Sequence, residues 1–461
     1  MNQPAQITPQ APNTRYHDWL NTLRLSLPIV IGQLSIVAMG VADNIMVGKL
    51  GAAPLAATGL GNHIFFMVAI VGIGILSIVA PQVATAKSRN DTIQCTKILS
   101  NAFYLSLMIG ALTTVVLSVV CFNFSLLGQT PEVEQISVGY LFILAISAIP
   151  MFMFIALKNF TDGLSYTKAA MYFSFGGVIL NIILNWFMIY GNAGFPKLGV
   201  NGSAYATMIA RILMFAGFWV YVQKAKYLKE YLGKFSWNDF DRMLTKKLFY
   251  LGAPSAGQYV FEVGAFVGAA VIIGWLGTNQ LAAHEIAISL SAVTYMGSVG
   301  FSAAGAIQVG SAFGERNPNK IRRLGSASLG LVAIFMGVCG ALFLLFTEFW
   351  VRLYVDAGSM QEVIQIAIIL VWVVGIYQMS DGIQCVALGN LRGLEDTHIP
   401  TYITFVAYWI VGLPLGYFLA FSFGWDVLGV WIGLSVGLTI SAVLLTWRFY
   451  YLAEKLRKTA P

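Results

Sequence analysis

Charge is what this sequence lacks most. Only 10% of its 461 residues are charged and 58% are hydrophobic, against about 25% charged in an ordinary soluble protein. That scarcity excludes a soluble globular chain, and the mean hydropathy of +0.75 says that most of the polypeptide is dissolved in lipid. Histidine is sparse too. The four, His17, His63, His284 and His398, are scattered, so no imidazole cluster suggests a metal centre. The four cysteines, Cys95, Cys121, Cys339 and Cys385, have neither ligand-like nor redox spacing and read as core filler. No nucleophile elbow, HExxH or Walker loop occurs, which argues against hydrolytic or ATP-driven chemistry and for no cofactor. The opening "MNQPAQITPQAPNTRYHDW" has Pro and Gln where a signal peptide would be apolar, so an uncleaved, solvated tail is expected.

What the chain does have is apolar runs. A membrane span needs about 20 mainly apolar residues, and twelve such runs lie near 25–47, 56–85, 99–122, 136–157, 169–190, 199–222, 248–275, 281–311, 325–350, 362–388, 400–422 and 427–447. They do not alternate in polarity, which excludes a closed barrel. The expected fold class is an all-α polytopic membrane protein of twelve helices. They use up the chain and leave no room for a soluble catalytic domain.

Positive charge is distributed unevenly. The tail before the first run and the segments after even-numbered runs hold 23 of the 27 Lys and Arg, which places both termini in the cytoplasm. The opposite side has Lys49, Lys197 and Arg352, and Arg211 is the one basic residue well inside a run. The net charge of +7 therefore marks membrane topology and anionic headgroups, not nucleic acid.

The basic stretch at 224–247 divides the chain into two similar parts. Laying 25–57 on 251–283, a constant shift of 226, gives 10 identities over 33 positions, among them Pro28 on Pro254 and Gly51 on Gly277. A shift of 230 sets "TDGLSYT" on "LRGLEDT". The expected layout is a tail at 1–24, an N-lobe at 25–223, a linker at 224–247, a C-lobe at 248–447 and a tail at 448–461. Six spans per lobe make the repeat parallel, with its pseudo-twofold along the membrane normal, a recurring design of secondary transporters. Pro28 and Pro254, early in spans 1 and 7, are hinge candidates because proline removes a helix hydrogen bond.

Asp43, Glu262, Glu285 and Asp381 lie inside apolar runs. An acid within the bilayer costs ~3 kcal/mol on insertion scales and usually faces a bundle interior or an ion path. One internal arginine does not neutralise all four acids, so either some are protonated or a mobile cation binds them. Glu285, with His284 beside it, is near enough to the start of span 8 to reach the interface. Asn181 and Asn185 are four residues apart and share a helix face, suited either to gluing helices or to solvating a cation. Thr207 is a weaker candidate of the same kind. Tyr377, four residues before Asp381, shares its face. Lys158 and Asp162 are expected to shape a loop at the cytoplasmic end of span 4.

"ADNIMVGKLGAAPLAA", "FTDGLSYTKAA", "ILNIILNW", "FGERN" and "LGNLRG" resemble the NorM branch of the MATE family, the multidrug and toxic compound extrusion transporters. The resemblance runs from about residue 20 to 452. It implies two six-helix lobes around a cleft, a monomer in the bacterial inner membrane, and export of organic cations in exchange for entering Na⁺ or H⁺. It further implies an N-lobe site at Asp43, Asn181 and Asn185, and a C-lobe cation site at Glu262, Tyr377 and Asp381. Some relatives carry Asp where this chain has Asn185. Two rivals exist. A flippase for lipid-linked or other anionic substrates would need a cavity lined with Arg and Lys, and a membrane-embedded transferase would need a clustered His/Asp or metal site.

Overall fold

The computed structural model of the protein describes residues 15–232, 239–355 and 361–459. Twelve helices long and apolar enough to cross a membrane occur among them, and no strand does. In the first half they are α1 (Tyr16–Gly48), α2 (Ala52–Ser88), α3 (Thr92–Phe122), α4 (Pro131–Gly163), α5 (Thr167–Tyr190) and α6 (Gly199–Lys224). In the second they are α7 (Arg242–Leu276), α8 (Thr278–Gly314), α9 (Pro318–Leu345), α10 (Gln361–Gly393), α11 (His398–Ser422) and α12 (Asp426–Thr459). The polytopic all-α expectation holds.

Hydropathy located the spans but not the helix ends. Residues 16–24, expected as tail, are the first turns of α1. Asp18 is buried there and pairs with Arg323 of α9, and Thr22 Oγ1 donates to Gln308 Oε1 of α8 at 2.7 Å. Residues 448–459, also expected as tail, continue α12, and Arg448 forks onto Asp396 at 2.5 and 3.0 Å. Helices run on past the apolar stretch wherever their polar residues find partners. Within the linker, Asp241 caps α7 by accepting from the amides of Met243 and Leu244, while 233–238 lie outside the described residues. The ninth span ends earlier than expected, at Leu345, and a separate short helix follows at Thr347–Arg352.

The repeat is structural down to single backbone angles. Gly51 and Gly277 open α2 and α8 at φ of +132° and +155°, a region nearly closed to residues with a Cβ. Asn90 and Arg316 share a left-handed conformation, and Asp91 and Asn317 next to them cap α3 and α9. Gly163 would place a Cβ 2.4 Å from the Ala80 carbonyl oxygen, and Gly393 would place one 2.7 Å from that of Ala306. Each pair is related by the sequence shift of its segment.

The lobes meet at one end. A Cβ on Gly74 of α2 would lie 2.4 Å from Cα of Ala256 in α7, and one on Gly300 of α8 would lie 2.3 Å from Cγ2 of Val30 in α1. These two contacts are images of each other under the same shift, as a twofold requires. Ile29, Ala80, Ala84, Ala304 and Ile307 form a small apolar cluster across the seam. Thr85 Oγ1 donates to the Gly310 carbonyl at 2.9 Å, and Gln82 Nε2 to Glu395 Oε1 at 2.8 Å. All lie in the first halves of α1 and α7 and the second halves of α2 and α8, or in the α10–α11 turn beside them. Both prolines sit within this region, inside their helices.

Candidate functional site: a buried acid network in each lobe

In the N-lobe, α1, α5 and α6 converge on Asp43. Asn185 Nδ2 donates to Asp43 Oδ1 at 2.6 Å, and Thr207 Oγ1 donates to Oδ2 at 3.1 Å. Asn181 joins both partners, donating to Thr207 Oγ1 at 3.0 Å and accepting from Asn185 Nδ2 at 3.2 Å. All four residues are at most 3% exposed. The helical spacing of Asn181 and Asn185 makes this possible, because both carboxamides issue from one face. Asn185 Oδ1 is buried without a partner, so the network ends in a free acceptor. Asp43 forms no ion pair among the described residues. Arg211, one turn beyond Thr207, is half-buried and instead donates from Nη1 to Ser147 Oγ at 2.6 Å. Its guanidinium lies 4.7 Å from the Phe65 ring centre, a cation–π geometry. Tyr140 beside it donates to Asn62 Oδ1 at 3.0 Å.

The C-lobe is built differently. Its apolar core is split into two clusters, one around Leu290, Val374 and Leu438, the other around Phe301, Val386 and Leu445. Between these levels α8, α10 and α12 bury Ser291, Ser298, Gln378, Asp381, Gln384 and Ser441. Glu262 of α7 is buried within electrostatic reach of Asp381 and Tyr295. The Tyr377 hydroxyl pairs with Ser291 Oγ, and Tyr408 donates to Gln384 Oε1 at 3.1 Å. Asp381 has neither a hydrogen bond nor an ion pair to a described residue. Both polar atoms of Gln378, Gln384 Nε2, Ser298 Oγ and Ser441 Oγ are buried and unpartnered. Buried polar groups are ordinarily satisfied, so this belt offers several oxygens and two carboxylates to something it does not itself contain.

Asp43, Asn181, Asn185 and Thr207 therefore form one site, and Glu262, Tyr377 and Asp381 belong to a second. Glu285 belongs to neither, because it points outward from α8 and is exposed. His284 is buried but packs edge-on against Trp431 at 5.5 Å, with Nδ1 unpartnered. Lys158 and Asp162, expected in a loop, are both inside α4, buried and paired at 2.8 Å. Arg392, counted with the segment after span 10, is likewise a buried residue of α10. The sequence reading missed Tyr140, Asn62, Tyr295 and the belt glutamines. The i, i+3 spacing of Tyr259 with Glu262 and the i, i+4 spacing of Ser291 with Tyr295 were the available signals. All four cysteines are free. No group of three or more His, Cys, Asp or Glu suited to a metal ion occurs among the described residues. The donors are carboxylate, carboxamide and hydroxyl oxygens, a set that suits hard cations.

Twelve helices in two symmetric lobes, each with an unpaired buried acid in its interior, define a membrane protein built like a secondary transporter. The chain belongs to the MatE family, whose model matches it twice, at residues 28–187 and 254–418. The two matches begin at Pro28 and Pro254, in the register of the internal repeat. Among curated relatives, the probable multidrug resistance protein NorM of Mesorhizobium japonicum is 34% identical over 93% of this chain and 92% of its own. The multidrug resistance protein NorM of Aliivibrio fischeri is 34% identical over 93% and 94%. In fold the chain is similar to a eukaryotic MATE transporter, with TM-score 0.87, 19% identity and 96% and 99% coverage. It is equally similar to a multidrug resistance MATE family transporter in an outward-facing conformation, with TM-score 0.88, 21% identity and 96% and 97% coverage.

Proposed function

We propose that this protein is a cation-coupled antiporter that exports organic cations and drugs by alternating access between its lobes. The observation that carries the proposal is a set of intramembrane carboxylates, Asp43, Glu262 and Asp381, buried without an ion pair among the described residues. Acids in lipid mark ion and proton paths, and these are available to a travelling charge. Asp43, braced by three neutral polar side chains, suits an organic cation. The C-lobe belt, with two acids and several unpartnered oxygens, suits the coupling ion, Na⁺ or H⁺. The names of the NorM relatives agree with a drug substrate.

With the basic segments on the cytoplasmic side of a bacterial inner membrane, the seam between the lobes closes the inner end, and the resting state faces outward. An external cation enters the belt, the bound drug leaves, and the loaded lobes rock inward. Each charge carried inward releases roughly 2.3 kcal/mol per 100 mV. The chain acts as a monomer in this scheme, since both sites lie within single lobes.

Proteoliposomes containing the purified protein and a fluorescent organic cation test this directly, with Na⁺ and pH gradients imposed separately. One gradient should drive accumulation or efflux of the dye against its own gradient. Dye movement indifferent to both gradients would overturn the antiport reading.

A further inference from the structure

Arg392 is a buried charge with little to satisfy it. It is 5% exposed, in the last turn of α10, and has no ion pair with a described residue. Its Nε is buried and unpartnered. Its one hydrogen bond runs from Nη1 to the Tyr259 hydroxyl at 3.3 Å, with the guanidinium 5.3 Å from that ring's centre. A buried charge normally has a counter-ion. The repeat shows what such a position ordinarily holds. Arg392 corresponds to Asp162 of the N-lobe under the shift of 230, and Asp162 is neutralised by Lys158 one turn away at 2.8 Å. In the C-lobe the residue corresponding to Lys158 is Leu388, so the guanidinium has no partner on its own helix.

Glu262 is the buried acid on the helix that carries Tyr259. Tyr259 and Glu262 are three residues apart on α7, hence neighbours on one helix face, so a guanidinium held at the Tyr259 hydroxyl is on the side of α7 that carries the carboxylate. The other titratable groups around Arg392 are Tyr259, Cys385 and Tyr295; none is an acid. We infer that Arg392 is a tethered counter-cation for Glu262, parked on Tyr259 while a coupling ion occupies the belt and swung onto the carboxylate as that ion leaves. Release is then an exchange of one cation for another, and Glu262 is never left charged and bare in a low-dielectric interior. Arg392 sits on the inner side of Glu262, next to the turn where Gln82 and Glu395 bridge the lobes, which favours discharge toward the cytoplasm. The inference rests on the antiport reading above and assigns the residue that makes ion release directional.

Two substitutions with opposite expected signs test it. Arg392→Gln removes the competing cation, so the coupling ion should bind at least about fivefold more tightly while ion-driven turnover falls. Tyr259→Phe removes the parking hydroxyl and frees the guanidinium, so ion affinity should fall by a similar factor. Arg392→Lys keeps a cation and should restore part of the turnover lost in Arg392→Gln. Affinity is read by ²²Na⁺ binding to purified protein in nanodiscs, with proton uptake in a sodium-free arm, and turnover by the proteoliposome assay. Thermal midpoints confirm folding of each variant. Unchanged or weaker ion affinity in Arg392→Gln would overturn the inference, as would equal shifts of the same sign in both variants. A wild-type protein indifferent to both ions would instead overturn the antiport reading, and the two failures are distinguishable.

Discussion

Replacing Asp43 by Asn removes one charge from a defined network while leaving its shape. The retained Oδ1 still accepts from Asn185 Nδ2, as the carboxylate does at 2.6 Å. On the other side the new amide faces Thr207, whose hydroxyl now donates at 3.1 Å and accepts from Asn181 at 3.0 Å. That hydroxyl has a second lone pair and turns to accept instead, so the fold should lose no more than about 1 kcal/mol. The loss to a bound organic cation is larger. A unit charge about 5 Å from the carboxylate at an effective dielectric near 20 gains about 3 kcal/mol. At about 1.4 kcal/mol per decade, dye affinity should fall roughly 100-fold. Fluorescence anisotropy of a cationic dye reads the affinity, the proteoliposome assay reads transport, and a thermal melt reads stability. If the Asp43→Asn protein melts normally, binds the dye within about threefold of wild type and transports it normally, Asp43 is not the drug's counter-charge.

Other substitutions probe the rest of the design. Glu262→Gln and Asp381→Asn should each weaken ion-driven transport at least about tenfold while leaving dye affinity near wild type, since the proposed function assigns the dye to the other lobe. Gly74→Ala and Gly300→Ala insert a methyl group into symmetric contacts that would bring it within 2.4 and 2.3 Å of the opposite lobe. Spin-label distances across the inner ends of α1 and α8 should lengthen in both, and a distance unchanged in either would refute the seam as described. Lys158→Met strands the buried Asp162 and should cost about 3–5 kcal/mol, whereas Lys158→Met with Asp162→Leu should recover most of that in a thermal melt.

The two buried networks differ in how they are finished. The N-lobe network is closed on itself except for Asn185 Oδ1, which holds the Asp43 carboxylate in one orientation. The C-lobe belt leaves five unpartnered polar atoms on Gln378, Gln384, Ser298 and Ser441, and its cost in stability is reasonable only if a ligand or ordered water repays it. Pre-organisation in one lobe and hunger for a cation in the other is a division suited to exchange.

Composition and periodicity by themselves determined the membrane fold, the number of spans and the parallel repeat. Those follow from apolar length, from helix geometry and from a register shift, all of which are local or linear in the chain. The pair Asn181 and Asn185 was legible as well, because a four-residue spacing fixes a shared face without knowledge of any neighbour.

Only the tertiary structure decided which polar residues met. Asp43 and Thr207 are 164 residues apart and touch because α1 and α6 pack around α5. Glu285 looked like its fellow acids in sequence and points outward, since a single apolar run does not say which face is lined by protein. Lys158 and Arg392 were assigned to the watery end of their spans because positive charge usually lies there. Packing of α4 and α10 buried both, and gave a counter-ion to only one. That difference is three-dimensional: a charge is paired or left bare by what another helix brings beside it, and hydropathy along one chain carries no term for a neighbour.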